Sequence, residues 1–226
     1  MGLNTRITVC NILHRLRTTM KFILVVLCCL TLVCSAPLRG HELTRAVENA
    51  MSLAKKILGD IRGAHDACVT SAGLTFSSEA KSLEYLLGDI GIPAPPVLKS
   101  EELTMETSLN HIVNGLELHR RLLEEVGVAL SSSEELKLLL VGVRDLRVQV
   151  EEVQRLAQIP SPESQDGFPG ISLQLRSDYQ VQVAAHLTLQ QLRSFTQDVF
   201  RTLRHISASI ADPQRLNQAD NSMSKS

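Results

Sequence analysis

The sequence has few aromatic residues and no tryptophan. Its 226 residues include five Phe and two Tyr, so aromatic side chains make up 3% of the chain. The strands of β-sandwiches draw on aromatic and β-branched residues, whereas the apolar residues of this chain are mostly aliphatic. This composition favours an all-α protein.

Cysteine is nearly confined to the N-terminus. Four of the five cysteines lie there: Cys10, Cys28, Cys29 and Cys34. Only Cys68 follows, and one thiol alone forms no internal disulfide and supplies no zinc site. Because Cys68 follows Ala64 by four residues and Ile61 by seven, the helical pattern predicts a buried thiol. An intermolecular disulfide and a reactive thiol are the alternatives.

Excess charge and catalytic motifs are also missing. The formal net charge is −1, which gives no electrostatic case for a nucleic-acid partner. The sequence has no Gly-x-Ser-x-Gly elbow, no glycine-rich phosphate loop and no His-x-x-x-His pair, which are signatures of hydrolases, nucleotide-binding enzymes and zinc proteins. We therefore expect no enzyme activity, no cofactor and no metal.

The N-terminus contains a short apolar run over residues 22–33, followed by small residues at 34–36. Basic residues lie shortly ahead of it: Arg15, Arg17 and Lys21. This order is typical of a secretory signal peptide, and the run is short of the roughly 20 apolar residues of a membrane span. We predict a signal peptide over residues 1–36, with Met20 as an alternative start, and a secreted, extracellular protein without membrane insertion. An N-terminal anchor is the alternative.

Four long segments repeat apolar residues at helical spacing. They cover residues 43–67, 103–126, 134–158 and 173–210. Each has one apolar stripe, and the predicted core includes Ile57, Leu116, Leu146 and Phe195. The polar side of the second segment is predicted to consist of His119, Arg120, Arg121, Glu124 and Glu125. The last residues, 212–226, are polar and are expected to be a disordered tail.

The connections between these segments are long, short and long. A helix of about 24 residues is roughly 36 Å long, and an extended chain needs on the order of 11 residues to return along it. Residues 68–102 and 159–172 suffice for that return, whereas 127–133 do not. This predicts an up-up-down-down, long-chain four-helix bundle over residues 37–211, with two crossover loops. The first crossover is expected to hold a short helix that ends at Gly88.

Four stretches resemble one family of helical cytokines. Residues 88–96 are similar to the Leu-Gly-Ile-Pro-x-x-Pro stretch after the short A–B helix of the granulocyte colony-stimulating factor family, within the interleukin-6-type long-chain group. Residues 55–60, 115–123 and 194–206 resemble that family's first, second and last helices. The resemblance spans nearly the whole chain after residue 36, in one order.

The resemblance implies a haematopoietic growth factor without catalysis, which binds and cross-links a class I cytokine receptor. Its signal would direct proliferation and differentiation of granulocyte-lineage cells in the immune response. It assigns Lys55, Lys56 and Asp145 to a receptor-binding face on helices A and C. It assigns Glu84 and Tyr85 to a second face near the short A–B helix.

The chain also departs from this family, whose members typically carry two disulfides. Only Cys68 matches a family cysteine, so no disulfide is expected in the mature chain. The alternative function is a secreted amphipathic-helix protein that binds lipid, which would share the signal peptide, the long helices and the missing disulfides. The core-type stripes and the long crossovers favour the cytokine.

Overall fold

A computed structural model describes most of the chain after residue 39. It covers residues 40–71, 73–76, 83, 85–98, 104–130, 133–160 and 175–211. The predicted signal peptide and the predicted disordered tail lie outside these residues. The contacts described below all lie within the unit Leu43–Ser226.

The regular structure of the described residues is helical and includes no strand. The helices are α1 over residues 40–68, α2 over Leu86–Ile90, α3 over Met105–Ala129, α4 over Glu134–Leu156 and α5 over Asp178–Ala211. The prediction of an all-α protein is confirmed. Among the described residues, none of the helices combines the length and the apolar character needed to cross a membrane.

Hydroxyl side chains set the starts of the last three helices. The Ser133 hydroxyl accepts a hydrogen bond from the Leu136 N–H at 3.2 Å, so the predicted start of α4 is confirmed. Thr104 caps α3 in the same way. Helix α5 begins at Asp178, later than predicted, because the Ser177 hydroxyl accepts the Gln180 N–H at 3.3 Å. Such caps satisfy N–H groups that have no partner within the helix.

The short helix α2 ends later than predicted. The chain remains helical through Gly88 and turns at Gly91, whose φ of 84° lies in the left-handed region. The N–H groups of Gly91 and Ile92 donate to the Leu87 carbonyl at 3.0 and 2.9 Å. A glycine adopts this backbone conformation without steric cost, so Gly91 rather than Gly88 ends the helix.

The apolar stripes of the four long helices bury one another. The predicted core residues Ile57, Leu116, Leu146 and Phe195 are all 3% exposed or less. Stripes of this width bury their apolar area only against other helices, so the core predicted from helical spacing is confirmed at these positions.

Helices α3 and α5 approach closely at Gly115. A Cβ atom on Gly115 would lie 2.1 Å from Cζ of Phe195, far inside van der Waals contact. One turn further along α3, the His119 ring stacks on the same phenyl ring with a centroid distance of 5.0 Å. The absence of a side chain at Gly115 therefore allows the Phe195 ring to sit against the α3 backbone.

Helix α1 packs against α4 in the opposite direction. The Gln149 side-chain amide donates to the Ala46 carbonyl at 3.3 Å near the start of α1. Near the end of α1, Cys68 Sγ lies 3.4 Å from the Ser133 hydroxyl. Because residue numbers rise along α1 as they fall along α4, this pair is antiparallel.

Helix α3 also packs against α4 in the opposite direction. The Gln154 amide donates to the Asn110 side-chain oxygen at 2.7 Å, and the Arg147 guanidinium lies 3.4 Å from the Glu117 carboxylate. Low numbers on α3 meet high numbers on α4, so the pair is antiparallel.

The third antiparallel pair consists of α1 and α5. The Lys55 ammonium lies 5.2 Å from the centroid of the Phe200 ring, and His65 Nε2 lies 2.9 Å from His186 Nδ1. Beyond the end of α1, the Gln182 side-chain oxygen accepts from the backbone N–H groups of residues 70 and 71. Residue numbers in these contacts rise along α1 as they fall along α5, so the pair is antiparallel.

Candidate functional site

Two of the residues predicted for the A/C face lie at the same level of the bundle. A Cβ on Gly142 would meet Ile57 Cγ1 at 3.4 Å, which places these parts of α1 and α4 side by side. Lys56 precedes Ile57 by one residue, and Asp145 follows Gly142 by three. Both side chains are exposed. The Lys56 ammonium pairs with Asp60 on its own helix at 2.8 Å, an exposed pair that contributes little stability.

Lys55 lies on the other side of α1. Consecutive residues of a helix are about 100° apart, and the Lys55 ammonium lies over the Phe200 ring of α5. The structure thus brings Lys56 and Asp145 to one face, while Lys55 stands at its border with α5.

Exposed apolar side chains surround Asp145 on α4. Leu138, Val141 and Val148 are 56%, 50% and 55% exposed, and with Asp145 they follow a spacing of three, four and three residues. This spacing puts them on one face of the helix. Sequence reasoning missed them, although their position outside the buried stripe of α4 is a usable signal. Exposed apolar residues gathered around a charge are typical of an interaction surface.

The second predicted face is only partly described. Glu84 lies outside the described residues. Tyr85 immediately precedes α2, is 72% exposed and makes no cap hydrogen bond with its side chain. Within the described part of the chain, the prediction for this face therefore depends on Tyr85 alone.

His119 was predicted to lie on the polar side of α3, but it is fully buried. Its ring nitrogen Nδ1 donates to the Gly115 carbonyl at 2.7 Å, and its ring stacks on Phe195. Burial disfavours the charged imidazolium and lowers the pKa of His119 to about 4. The prediction was wrong because His119 follows Leu116 by three residues and precedes Leu123 by four, which places it on the buried face of α3.

A pair of buried imidazoles joins α1 to α5. His65 and His186 are 2% and 0% exposed, so one neutral ring donates to the other across the 2.9 Å between Nε2 and Nδ1. Burial, and then the neighbouring imidazole, lower the pKa of His186 to about 4. Burial also lowers the pKa of His65, against the opposing effect of Asp66. In the described residues, no cluster of three or more His, Cys, Asp or Glu could hold a metal ion.

Cys68 is buried, as predicted. Its side chain is 7% exposed and free of any disulfide. Burial raises the pKa of this thiol, and a thiol rather than a thiolate is a poor nucleophile. Its hydrogen-bond partner is the Ser133 hydroxyl that caps α4, which indicates a structural role.

A small groove lies between residues 95–98 and α5. Its volume is about 230 Å³. The α5 side is formed by Gln191, Ser194, Phe195 and Asp198. The groove contains no histidine or cysteine, and Asp198 is paired with Arg201 at 2.8 Å. It therefore does not combine a nucleophile with a histidine base, the arrangement that nucleophilic catalysis requires.

No protein-family model matches the chain, and no curated protein matches it at a significant level.

Proposed function

We propose that this chain is a secreted helical cytokine, similar to the granulocyte colony-stimulating factor family, that binds and cross-links a class I cytokine receptor. The observation that carries the proposal is the set of helix directions. Because α4 runs opposite to both α1 and α3, α1 and α3 point the same way. Because α5 also runs opposite to α1, it points the same way as α4. These pairings support an up-up-down-down bundle.

The lengths of the connections agree with this topology. Only residues 130–133 join α3 to α4, which suits an antiparallel pair. The connections over 69–104 and 157–177 are long enough to return along a helix of about 36 Å. We assign these two stretches as the crossover loops.

The receptor-binding surface in this proposal is formed by α1 and α4. The apolar side chains of Leu138, Val141 and Val148 would supply its centre, and Lys56 and Asp145 its charged border. Interfaces of this kind gain most of their binding energy from a few central anchors, and the charges around them steer association. A second surface near Tyr85 would contact another receptor molecule, so that one ligand holds two receptors together.

The test is binding of residues 37–226 to the immobilised ectodomain of the granulocyte colony-stimulating factor receptor from the same species. The first site variant is Lys55→Glu/Lys56→Glu, and the second is Val141→Asp. The control is Glu106→Lys/Glu125→Lys, which reverses two exposed charges on α3. We expect saturable binding that falls at least tenfold in both site variants and less than threefold in the control.

The outcomes separate the parts of the proposal. Binding retained in both site variants would support the family and overturn the α1/α4 surface. Failure of a cooperatively folded wild-type chain to bind would overturn this receptor. In that case, hydrodynamic size and thermal melting are compared with and without lipid vesicles. The lipid-binding alternative requires a loose chain that becomes ordered when vesicles are added, whereas the cytokine is compact and melts cooperatively without them.

A further inference from the structure

Four arginines on the α3/α4 side of the molecule are paired with glutamates. Arg120 and Arg121 contact Glu117 at 2.7 and 2.8 Å. Arg147 lies 3.4 Å from the same carboxylate, and Arg155 pairs with Glu152 at 2.6 Å. Ion pairs of this type leave little charge for an external partner.

The cations along α1 and α5 are arranged differently. A row of four, which we call the cationic row, consists of Lys55, Arg62, Arg193 and Arg204. Among the described residues, no carboxylate forms an ion pair within 4 Å of any of them, whereas Arg201 beside them pairs with Asp198. The other exposed acids of α1 on this side are Glu48 and Asp66. This side of α1 and α5 therefore carries five cations, which are the cationic row and Arg201. It carries three acids, which are Glu48, Asp66 and Asp198.

Helical spacing places the row on one face. Lys55 lies against Phe200, which brings these parts of α1 and α5 together. Arg62 follows Lys55 by seven residues, or about two turns. Arg193 precedes Phe200 by seven residues, and Arg204 follows it by four. Residues spaced by one or two turns lie on the same side of a helix, so all four cations flank the junction of α1 and α5.

Two of these cations are held in place without losing their charge. Lys55 Nζ and Arg193 Cζ each lie 5.2 Å from a phenyl centroid, those of Phe200 and Phe76. A cation over an aromatic ring is attracted by the ring electrons and keeps its full charge. Because these side chains are already partly ordered, less conformational entropy is lost when they bind an anion.

The surface beside Arg62 is open. Gly59 and Gly63 are exposed, and a Cβ on either would meet no atom within 4 Å. An extended ligand can therefore approach the α1 backbone between the cations.

We propose that the cationic row binds a sulfated glycosaminoglycan. Arg193 and Arg204 are eleven residues apart, about 16 Å along α5, so the row is a line that a linear polyanion can follow. A compact anion would contact only one or two of its members. Guanidinium groups match sulfate oxygens with two parallel hydrogen bonds. The choice of a glycan over other polyanions depends on the secretion in the proposed function.

The test is the affinity of residues 37–226 for heparin in about 0.15 M NaCl, the physiological ionic strength. The variant is Arg62→Gln/Arg193→Gln/Arg204→Gln. The control, Lys137→Gln/Arg144→Gln/Arg155→Gln, removes the same number of positive charges from α4. We expect the affinity to fall at least tenfold in the variant and less than threefold in the control.

Two further measurements sharpen the test. Replacing the three arginines of the variant with lysine keeps the charge and should restore part of the affinity. The slope of log Kd against log salt should decrease by about 2 in the glutamine variant. The reason is that fewer counterions are released on binding when three cationic contacts are missing. Lys55 stays unchanged in every variant, so receptor binding should persist and a failure here is distinguishable from a failure of the proposed function.

Three results would overturn the proposal. The first is no heparin binding by the wild-type chain at this salt concentration. The second is an equal loss of affinity in the variant and the control. The third is equally tight binding of single-stranded DNA or of phosphatidylserine vesicles that is lost in the same variant, which would assign the row to another polyanion.

Discussion

The helix pairs α3/α4 and α1/α5 are both antiparallel, but opposite kinds of polar group join them. Between α3 and α4, the Arg147 guanidinium meets the Glu117 carboxylate. Between α1 and α5, two neutral imidazoles, His65 and His186, share a hydrogen bond in the interior. The first contact requires its groups to be charged, whereas the second requires them to be uncharged. Acid and salt should therefore act on different parts of the same bundle.

The pKa values of the two pairs express this difference. Hydrogen bonds from Arg120 lower the pKa of Glu117 to about 2, so its carboxylate stays charged in moderate acid. Burial lowers the pKa of His186 to about 4, so its imidazole stays neutral in the folded chain. In the unfolded chain, a histidine has a pKa of about 6.5 and takes up a proton before the folded chain does.

The largest expected effect is the loss of stability between pH 6.5 and pH 4.5. The contribution of a histidine whose folded pKa is lowered is complete above pH 6.5 and is lost as the pH falls towards the folded value. We expect the free energy of unfolding to fall by about 2 kcal/mol from His119 alone. His186, whose pKa is also lowered to about 4, should add to this loss. Urea unfolding at the two pH values measures this change.

The variant His65→Leu/His186→Leu attributes part of this loss to the α1/α5 pair. It should flatten the pH dependence and leave the part that comes from His119. Among the described residues, the charged group in contact with this neutral pair is Asp66, 3.4 Å from His65 Nδ1. A pH dependence equal to that of the wild type would show that the α1/α5 pair is not responsible.

The next effect is that of Glu117→Gln on the α3/α4 pair. Glu117 is largely buried and partners three arginines, so we expect a loss of about 1–2 kcal/mol at pH 7. In the wild type, this contribution is complete above about pH 4.5 and is lost as the pH falls towards 2. The cost of the substitution should therefore be the same at pH 7 and pH 5.5.

A matched control for this variant is Glu152→Gln. Glu152 pairs with Arg155 within one turn on the exposed surface of α4, where ion pairs contribute little. We expect no measurable change in the urea midpoint of the control. Equal losses in both variants would mean that the burial of Glu117 has no energetic consequence.

The smallest effect is that of salt. Raising NaCl from 0.1 to 1 M shortens the screening length from about 10 Å to about 3 Å. The cost of Glu117→Gln should then shrink by about 0.5 kcal/mol, since its ion pairs are only partly buried. The cost of His65→Leu/His186→Leu at pH 7 should not change with salt, because both rings are neutral. Equal salt responses of the two variants would contradict the comparison.

The sequence was sufficient for features that depend on neighbouring residues. Helical spacing predicted the four long helices and core positions such as Ile57 and Leu146. The serine before Glu134 predicted the start of α4. These features could be read because caps and apolar stripes are local patterns. The predicted end of α2 was wrong, because both Gly88 and Gly91 could end a helix and only the backbone angle of Gly91 decides between them.

Features that depend on distant contacts could not be read in this way. The Phe195 ring that stacks on His119 belongs to α5, although the position of His119 three residues after Leu116 and four before Leu123 could have indicated its burial. His65 and His186 are 121 residues apart, and no spacing rule relates them. For the candidate site, the positions of Lys56 and Asp145 came from the resemblance. The exposure of Val141 was missed, although its position outside the apolar stripe of α4 could have indicated it.

The contact between Gly115 and Phe195 also determines where α5 lies along the bundle. The Phe195 ring lies against Gly115, whereas the preceding and following turns of α3 carry the large buried side chains of Ile112 and His119. A displacement of α5 by one turn in either direction would therefore bring the Phe195 ring against a larger side chain than that of glycine. The position of each side chain along this 34-residue helix, including Arg193, therefore depends on Gly115 having a hydrogen atom where other residues have a Cβ.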